Sequence, residues 1–182
     1  MNYKKLKING LLLLTPDKFV DERGFFMESY NQNTINSITG RNINFVQDNF
    51  SYSKKGVLRG VHFQQAPSQQ AKLVRVSSGM VYDVAVDLRE TSDTYLQWFG
   101  VILSSDNLKM LFIPEGFGHG FLTLSNSAKF IYKTSDFYSK KDERCIAWDD
   151  KKINIHWPYK EYGIHEPIIS EKDQQGENIN GN

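Results

Sequence analysis

Met80-Val81-Tyr82-Asp83-Val84-Ala85-Val86-Asp87-Leu88 is apolar nearly throughout, and valine recurs in it. So short a run, rich in β-branched residues, reads as a central strand covered on both faces. Asp83 within it then needs a buried partner, because an unpaired interior carboxylate is costly. Outward from this run, further strand-like segments recur at short intervals. They are Leu6–Leu14, Gly24–Tyr30, Phe45–Tyr52, Val57–Gln64, Lys72–Ser77, Gln97–Leu103, Lys109–Ile113, Gly120–Leu124 and Lys129–Thr134. Only the segment around Thr34 to Ile38, after Asn33, has helical character. The pattern predicts an all-β sandwich or barrel with a few short helices, not alternating β and α units. With no repeat and no linker, residues 1–173 are expected to form one domain. The polar, Gly/Asn-rich tail 174–182 is expected to fray.

Composition excludes several classes. The 182 residues carry 22 basic and 21 acidic side chains, a formal charge of +1, with no run of like charge. A basic nucleic-acid-binding face is therefore not indicated. One cysteine, Cys145, cannot close an intrachain disulfide. The apolar run Leu11–Leu14 is too short for a signal-peptide core or a membrane span, so a soluble cytoplasmic protein is expected. Twelve Phe, nine Tyr and three Trp suit a sheet core and stacking on flat ligands.

Chemistry concentrates on three segments. Gly56-Val57-Leu58-Arg59-Gly60-Val61-His62-Phe63-Gln64 sets a histidine and an arginine in an apolar strand. Regular pairing would put Leu58, Gly60, His62 and Gln64 on one face and Arg59 on the other, unless a bulge at Gly60 reorients it. Lys72 opens the next strand, where an interior lysine needs a partner. Ile113-Pro114-Glu115-Gly116-Phe117-Gly118-His119-Gly120-Phe121 is a turn delivering a second histidine into a new strand. Taken singly, each of these residues has an ordinary role: His62 and Tyr132 as hydrogen-bonded core residues, Arg23 as a solvated loop residue or an anion clamp, Glu28 and Glu143 as surface carboxylates. Gln47-Asp48-Asn49 breaks the polar alternation of its strand. A metal-binding cupin would place a second histidine at Gln64 and a glutamate soon after, and the chain has neither. Two imidazoles without a carboxylate make a poor divalent site, so no metal is expected.

Together the segments DERGFF (21–26), FVQDN (45–49), GVLRGVHFQ (56–64), KLVRV (72–76), VYDVAVDLR (81–89), IPEGFGHGF (113–121), IYK (131–133) and ISEKD (169–173) resemble the dTDP-4-dehydrorhamnose 3,5-epimerase family. The resemblance spans about Leu12 to Asp173. It implies a cupin-like jelly roll, a homodimer and a cofactor-independent isomerase. It assigns the proton acceptor to His62, the proton donor to Tyr132 and the orienting aspartate to Asp173. Substrate contacts fall on Arg23, Glu28, Gln47, Asn49, Arg59, Lys72, His119, Glu143 and Lys172, and Tyr138 stacks near the nucleotide base. The N-terminal segment with Arg23, Phe26 and Glu28 is implied to reach the neighbouring copy's site. Two departures stand out: a longer stretch between Trp157-Pro158 and Ile169-Ser170, and Gly118 where alanine is common.

The implied reaction inverts C3 and C5 of dTDP-4-dehydro-6-deoxy-D-glucose. The C4 ketone acidifies both neighbouring hydrogens, histidine can accept a proton near neutral pH, and Lys72 can stabilise the enolate, with Asp83 keeping it charged. Alternatives are a mono-epimerase on a related 4-keto sugar, a 3,4-ketoisomerase, a metal-dependent oxygenase and a non-catalytic sugar-binding jelly roll.

Overall fold

The computed structural model describes residues 1–179. In chain order the strands are β1 (Asn2–Lys5), β2 (Leu12–Thr15), β3 (Lys18–Asp21), β4 (Gly24–Met27), β5 (Gln47–Lys54), β6 (Leu58–Gln64), β7 (Lys72–Ser78), β8 (Met80–Asp87), β9 (Trp98–Ser104), β10 (Met110–Ile113), β11 (Phe117–Thr123), β12 (Ser127–Thr134) and β13 (Glu143–Cys145). Helix α1 (Gln32–Thr39) follows β4, and the short α2 (Glu171–Gln174) lies near the C-terminus.

The strands form a six-stranded sheet, β1-β2-β10-β7-β12-β5, and a five-stranded sheet, β13-β6-β11-β8-β9, with β3-β4 a separate hairpin. Val74, Val76, Leu111, Ile113 and Phe130 of the first sheet meet Val81, Ala85, Phe117 and Phe121 of the second in a shared core. The outer face of the six-stranded sheet packs Leu12, Leu14, Leu73 and Phe112 against Ile35 of α1 and Ile43. The outer face of the five-stranded sheet packs Leu58, Val61, Val84 and Leu122 under Ile146, Ile153, Trp157 and Ile164. Both faces of β8 are therefore buried, which accounts for its unbroken apolar run. The result is the all-β sandwich expected from the strand pattern.

Several boundaries differ from expectation, each for a local reason. The run Leu6–Leu14 is not one strand: it reverses at Asn9-Gly10, where Gly10 has φ 96°, so that β1 pairs antiparallel with β2. Lys18–Asp21 pairs with Gly24–Met27 around Glu22-Arg23. Helix α1 starts at Gln32 because the Asn31 side chain, not that of Asn33, accepts the Thr34 N–H, and it stops at left-handed Gly40. β11 begins at Phe117, which puts His119 inside a strand and not on the preceding turn. The tail does not fray at its start. Residue 174 is helical, Glu177 pairs with Cys145 and Ala147, and the Ile179 N–H donates to Asp150 Oδ2 at 2.7 Å. Residues 180–182 of that expectation lie outside the described residues.

Candidate active site

β6 carries one residue more than β11 between two aligned pairs: His62 faces His119 and Arg59 faces Phe121, with Gly60-Val61 opposite Gly120 alone. This bulge changes the parity of the strand. Leu58 and Val61 turn outward into the apolar layer, whereas Arg59, His62 and Gln64 line the space between the sheets. The expected common face of Leu58 and His62 is thus corrected, and Arg59 joins His62 through the bulge anticipated at Gly60. Gly60 has φ 117°, and a Cβ there would sit 2.6 Å from Gly120 Cα and 2.7 Å from the His119 carbonyl oxygen. Only glycine fits.

The cavity so formed has a volume of about 340 Å³. The five-stranded sheet contributes His62 from β6, His119 from β11 and Glu143 from β13; the six-stranded sheet contributes Lys72 from β7 and Tyr132 from β12. Arg59, Tyr138, Lys172 and Asp173 complete the charged and aromatic wall. The floor is Phe121 stacked on Phe130 at 4.3 Å; that Phe130 shares the face of Tyr132 is expected from the sequence, its partner Phe121 is not. The signal for Phe121 is the same parity: it stands two residues from His119.

His62 Nε2–H donates to Asp173 Oδ1 at 2.9 Å. Asp173 Oδ2 accepts from the Gly60 N–H at 3.3 Å, and Ser170 caps α2 on the Asp173 N–H. Burial alone would raise the Asp173 pKa, but the bond and charge of His62, with these N–H and hydroxyl contacts, hold it below the usual range. With Nε2 so engaged, Nδ1 is the nitrogen left to accept a proton; it has no hydrogen bond and lies 4.0 Å from Glu143 Oε1.

Lys72 is buried, and desolvation pulls its ammonium down to about 8 against the opposing charges of Asp83 and Glu143. Its Nζ donates to the His62 carbonyl at 3.4 Å. The hydrogen-bonding partner of Asp83 is not Lys72 but His119, whose Nε2 lies 2.9 Å from Asp83 Oδ2, both groups buried. Tyr132 is raised by burial first, lowered by Arg59 and raised by Glu143, with a net upward shift.

Glu143 joins the wall together: its Oε1 meets Lys172 Nζ at 2.6 Å, and its Oε2 accepts the Tyr138 hydroxyl at 2.7 Å. Burial pushes Glu143 up, but Lys172 and Tyr138 outweigh it and the net shift is downward. Gln64 donates to the Ser68 and Phe137 carbonyls and accepts the Ser139 N–H at 2.7 Å, fastening the loop that holds Tyr138. Gln47 and Asn49 share the inward row of β5 without lining the cavity. Gln47 bonds Asn49 at 2.8 Å and accepts the Tyr138 N–H at 3.0 Å. Their strand alternates normally, since Asp48 points away to Lys133. Arg23, Phe26 and Glu28 stand apart from the cavity on and beside the β3–β4 hairpin, all three exposed. Among the described residues, one trio with metal-ligand chemistry is close-set: His62, Cys145 and Asp173.

A family model described as dTDP-4-dehydrorhamnose 3,5-epimerase matches residues 5–180. The dTDP-4-dehydrorhamnose 3,5-epimerase of Shigella flexneri is 52% identical over 177 residues, covering 97% of this chain and 95% of the relative. A Legionella pneumophila dTDP-6-deoxy-D-glucose-3,5-epimerase solved with dTDP-4-keto-L-rhamnose superposes with a TM-score of 0.92 at 43% identity, covering 97% and 92% of the two chains. A 3'-monoepimerase from Streptomyces bikiniensis in complex with dTDP-quinovose gives 0.88 at 28% identity, covering 95% and 85%. With a match across nearly its whole length and a fold shared throughout, the chain belongs to the dTDP-4-dehydrorhamnose 3,5-epimerase family.

Proposed function

We propose that the protein epimerises C3 and C5 of dTDP-4-dehydro-6-deoxy-D-glucose, giving dTDP-4-dehydro-L-rhamnose, with His62 as base and Tyr132 as acid. The observation that carries the reading is their placement: His62 comes from one sheet and Tyr132 from the other, across a single cavity. Inversion needs a proton taken from one face of a carbon and one returned to the other, and groups on facing sheets supply that.

The C4 ketone acidifies the hydrogens at C3 and C5. His62 Nδ1 removes one while Asp173 fixes the ring and stabilises the imidazolium as it forms. The negative charge gathers on the C4 oxygen, where the Lys72 ammonium is the preorganised positive partner, while Asp83 holds His119 in the wall of the same cavity. Burial keeps the Tyr132 hydroxyl protonated, and so able to deliver a proton to the far face. Arg59 and Lys172 bind the diphosphate, and Tyr138 stacks on the base. The chemistry is proton transfer alone and calls for no cofactor.

The working unit is a homodimer, in which the β3–β4 hairpin enters the neighbouring copy's site with Arg23, Phe26 and Glu28. Supporting this, the hairpin exposes Phe19, Val20, Phe25 and Phe26 together, an apolar surface an isolated chain leaves in water. The reaction belongs to the cytoplasm, in keeping with the single free thiol.

Incubation with dTDP-4-dehydro-6-deoxy-D-glucose in deuterated water tests the reading. Label should enter both C3 and C5 of the product. Label at one centre alone would make the protein a mono-epimerase, and an unlabelled ligand would make it a binding module.

A further inference from the structure

Cys145 lies directly opposite His62 where β13 pairs with β6. α2 brings Asp173 to the same imidazole. A ring nitrogen of His62, the Cys145 Sγ and a carboxylate oxygen of Asp173 all fall within 4.8 Å of one another. The thiol has no task in the proposed proton transfers; its one hydrogen bond is a weak contact with the adjoining Ile146 carbonyl at 3.6 Å.

We propose that His62, Cys145 and Asp173 form a capture site for a thiophilic divalent cation such as Zn²⁺, and that its occupancy reversibly arrests the enzyme by taking the base out of action. Imidazole nitrogen, thiolate sulfur and carboxylate oxygen are the donors zinc prefers, at about 2.0–2.3 Å. The 2.9 Å between His62 Nε2 and Asp173 Oδ1, now spanned by a hydrogen, would widen slightly to seat a tetrahedral ion between them. The Cys145 sulfur lies within 4.8 Å of both other donors and would move inward to close the site. Three protein donors would leave one position of a tetrahedral ion open. Thiolate and carboxylate together balance the cation's charge.

The protons also balance. The metal takes the place of the hydrogen between Nε2 and Asp173, and that proton moves to Nδ1, leaving the ring neutral. Burial, with the neighbouring carboxylates, pushes the Cys145 thiol up to about 11, so the cation must displace its proton, which leaves to solvent. Nδ1, now an N–H facing Glu143 Oε1 at 4.0 Å, can no longer accept a proton from a substrate carbon. The cation is thus one that the reaction does not need and that stops it. Binding itself follows from the three ligands alone; the effect on turnover rests on His62 being the base.

Two measurements on the full chain test this. Co²⁺ added to the metal-free protein should give a thiolate-to-cobalt charge-transfer band in the near ultraviolet, absent in Cys145→Ser and in His62→Ala. No band in the parent protein, or an equal band in Cys145→Ser, overturns the site, whether or not the chain turns over the nucleotide sugar. In the epimerisation assay Zn²⁺ should inhibit saturably and a chelator should restore the rate. Cys145→Ser should keep its basal turnover and need at least about tenfold more Zn²⁺, because the thiolate is the softest donor of the three. Cys145→Ala, without any donor oxygen, should behave alike. Equal sensitivity in the parent and both variants overturns the proposal.

Discussion

Lys72 is the residue whose chemistry is most exposed to pH. Its ammonium is charged below about 8 and neutral above it, because burial removes the solvation a surface lysine enjoys. Enolate stabilisation needs the charged form, so turnover should fall as pH rises through that value. Lys72→Met should lose the alkaline limb of the profile and roughly 100- to 1,000-fold in turnover, the range for removing a preorganised oxyanion partner. Asp83 opposes the effect of burial on Lys72, so Asp83→Asn should shift the alkaline limb to lower pH. An unmoved limb in that variant would show that Asp83 serves His119 alone. His62→Ala should stay folded with a modestly lower melting temperature, because buried Asp173 loses a partner, and lose at least about 100-fold in turnover, as expected for a missing general base. Near-normal turnover in a folded His62→Ala would remove His62 from the chemistry. At this scale the sequence was informative about residue type and silent about pairing: Asp83 announced its need for a partner, but whether Lys72 or His119 met it depended on which side chains the facing strands bring together.

At the scale of elements, the β6 bulge decides which side chains face substrate. Gly60→Ala would force a positive φ on alanine and press its Cβ against the Gly120 and His119 backbone. The positive φ alone costs about 1–3 kcal/mol. At roughly 2–4 °C per kcal/mol for a chain of this size, the melting temperature should drop by several degrees. Activity should fall further than stability, because Arg59 and His62 would lose their common side. A stable, active Gly60→Ala would mean the strand tolerates another register. The bulge was legible because a histidine and an arginine with one apparent purpose stood at opposite parity. The β1–β2 reversal was missed because apolar residues continue on both sides of Asn9-Gly10, so the turn signal sat inside what looked like one strand. The start of the tail was misread because its polar composition says nothing of the backbone pairing of Glu177 with Cys145 and Ala147.

For the whole molecule, the all-β architecture was readable because many short strands recur with turn residues between them, whereas the cover that α1 and the C-terminal segment give to the outer faces was not. What an isolated chain leaves open is the β3–β4 hairpin, where the Arg23 side chain is 84% exposed and hydrogen-bonds Asp21 within its own turn. If the hairpin completes a neighbour's site, Arg23→Ala and His62→Ala complement each other. A mixed dimer holds one site with both native residues and one with neither, so an equimolar, fully exchanged pool should recover about a quarter of the parental activity. Recovery no greater than the sum of the two variants alone would assign each site to a single chain.

If base and acid act from opposite sheets, Tyr132→Phe should uncouple proton removal from inversion. The variant keeps the ring and its packing and loses only the proposed proton donor. In deuterated water the ratio of solvent exchange at C3 and C5 to net inversion, followed by mass spectrometry and proton NMR, separates proton removal from return to the far face. Exchange should continue through the His62 side while inverted product falls by roughly 100-fold or more. A parental ratio with parental turnover would contradict it.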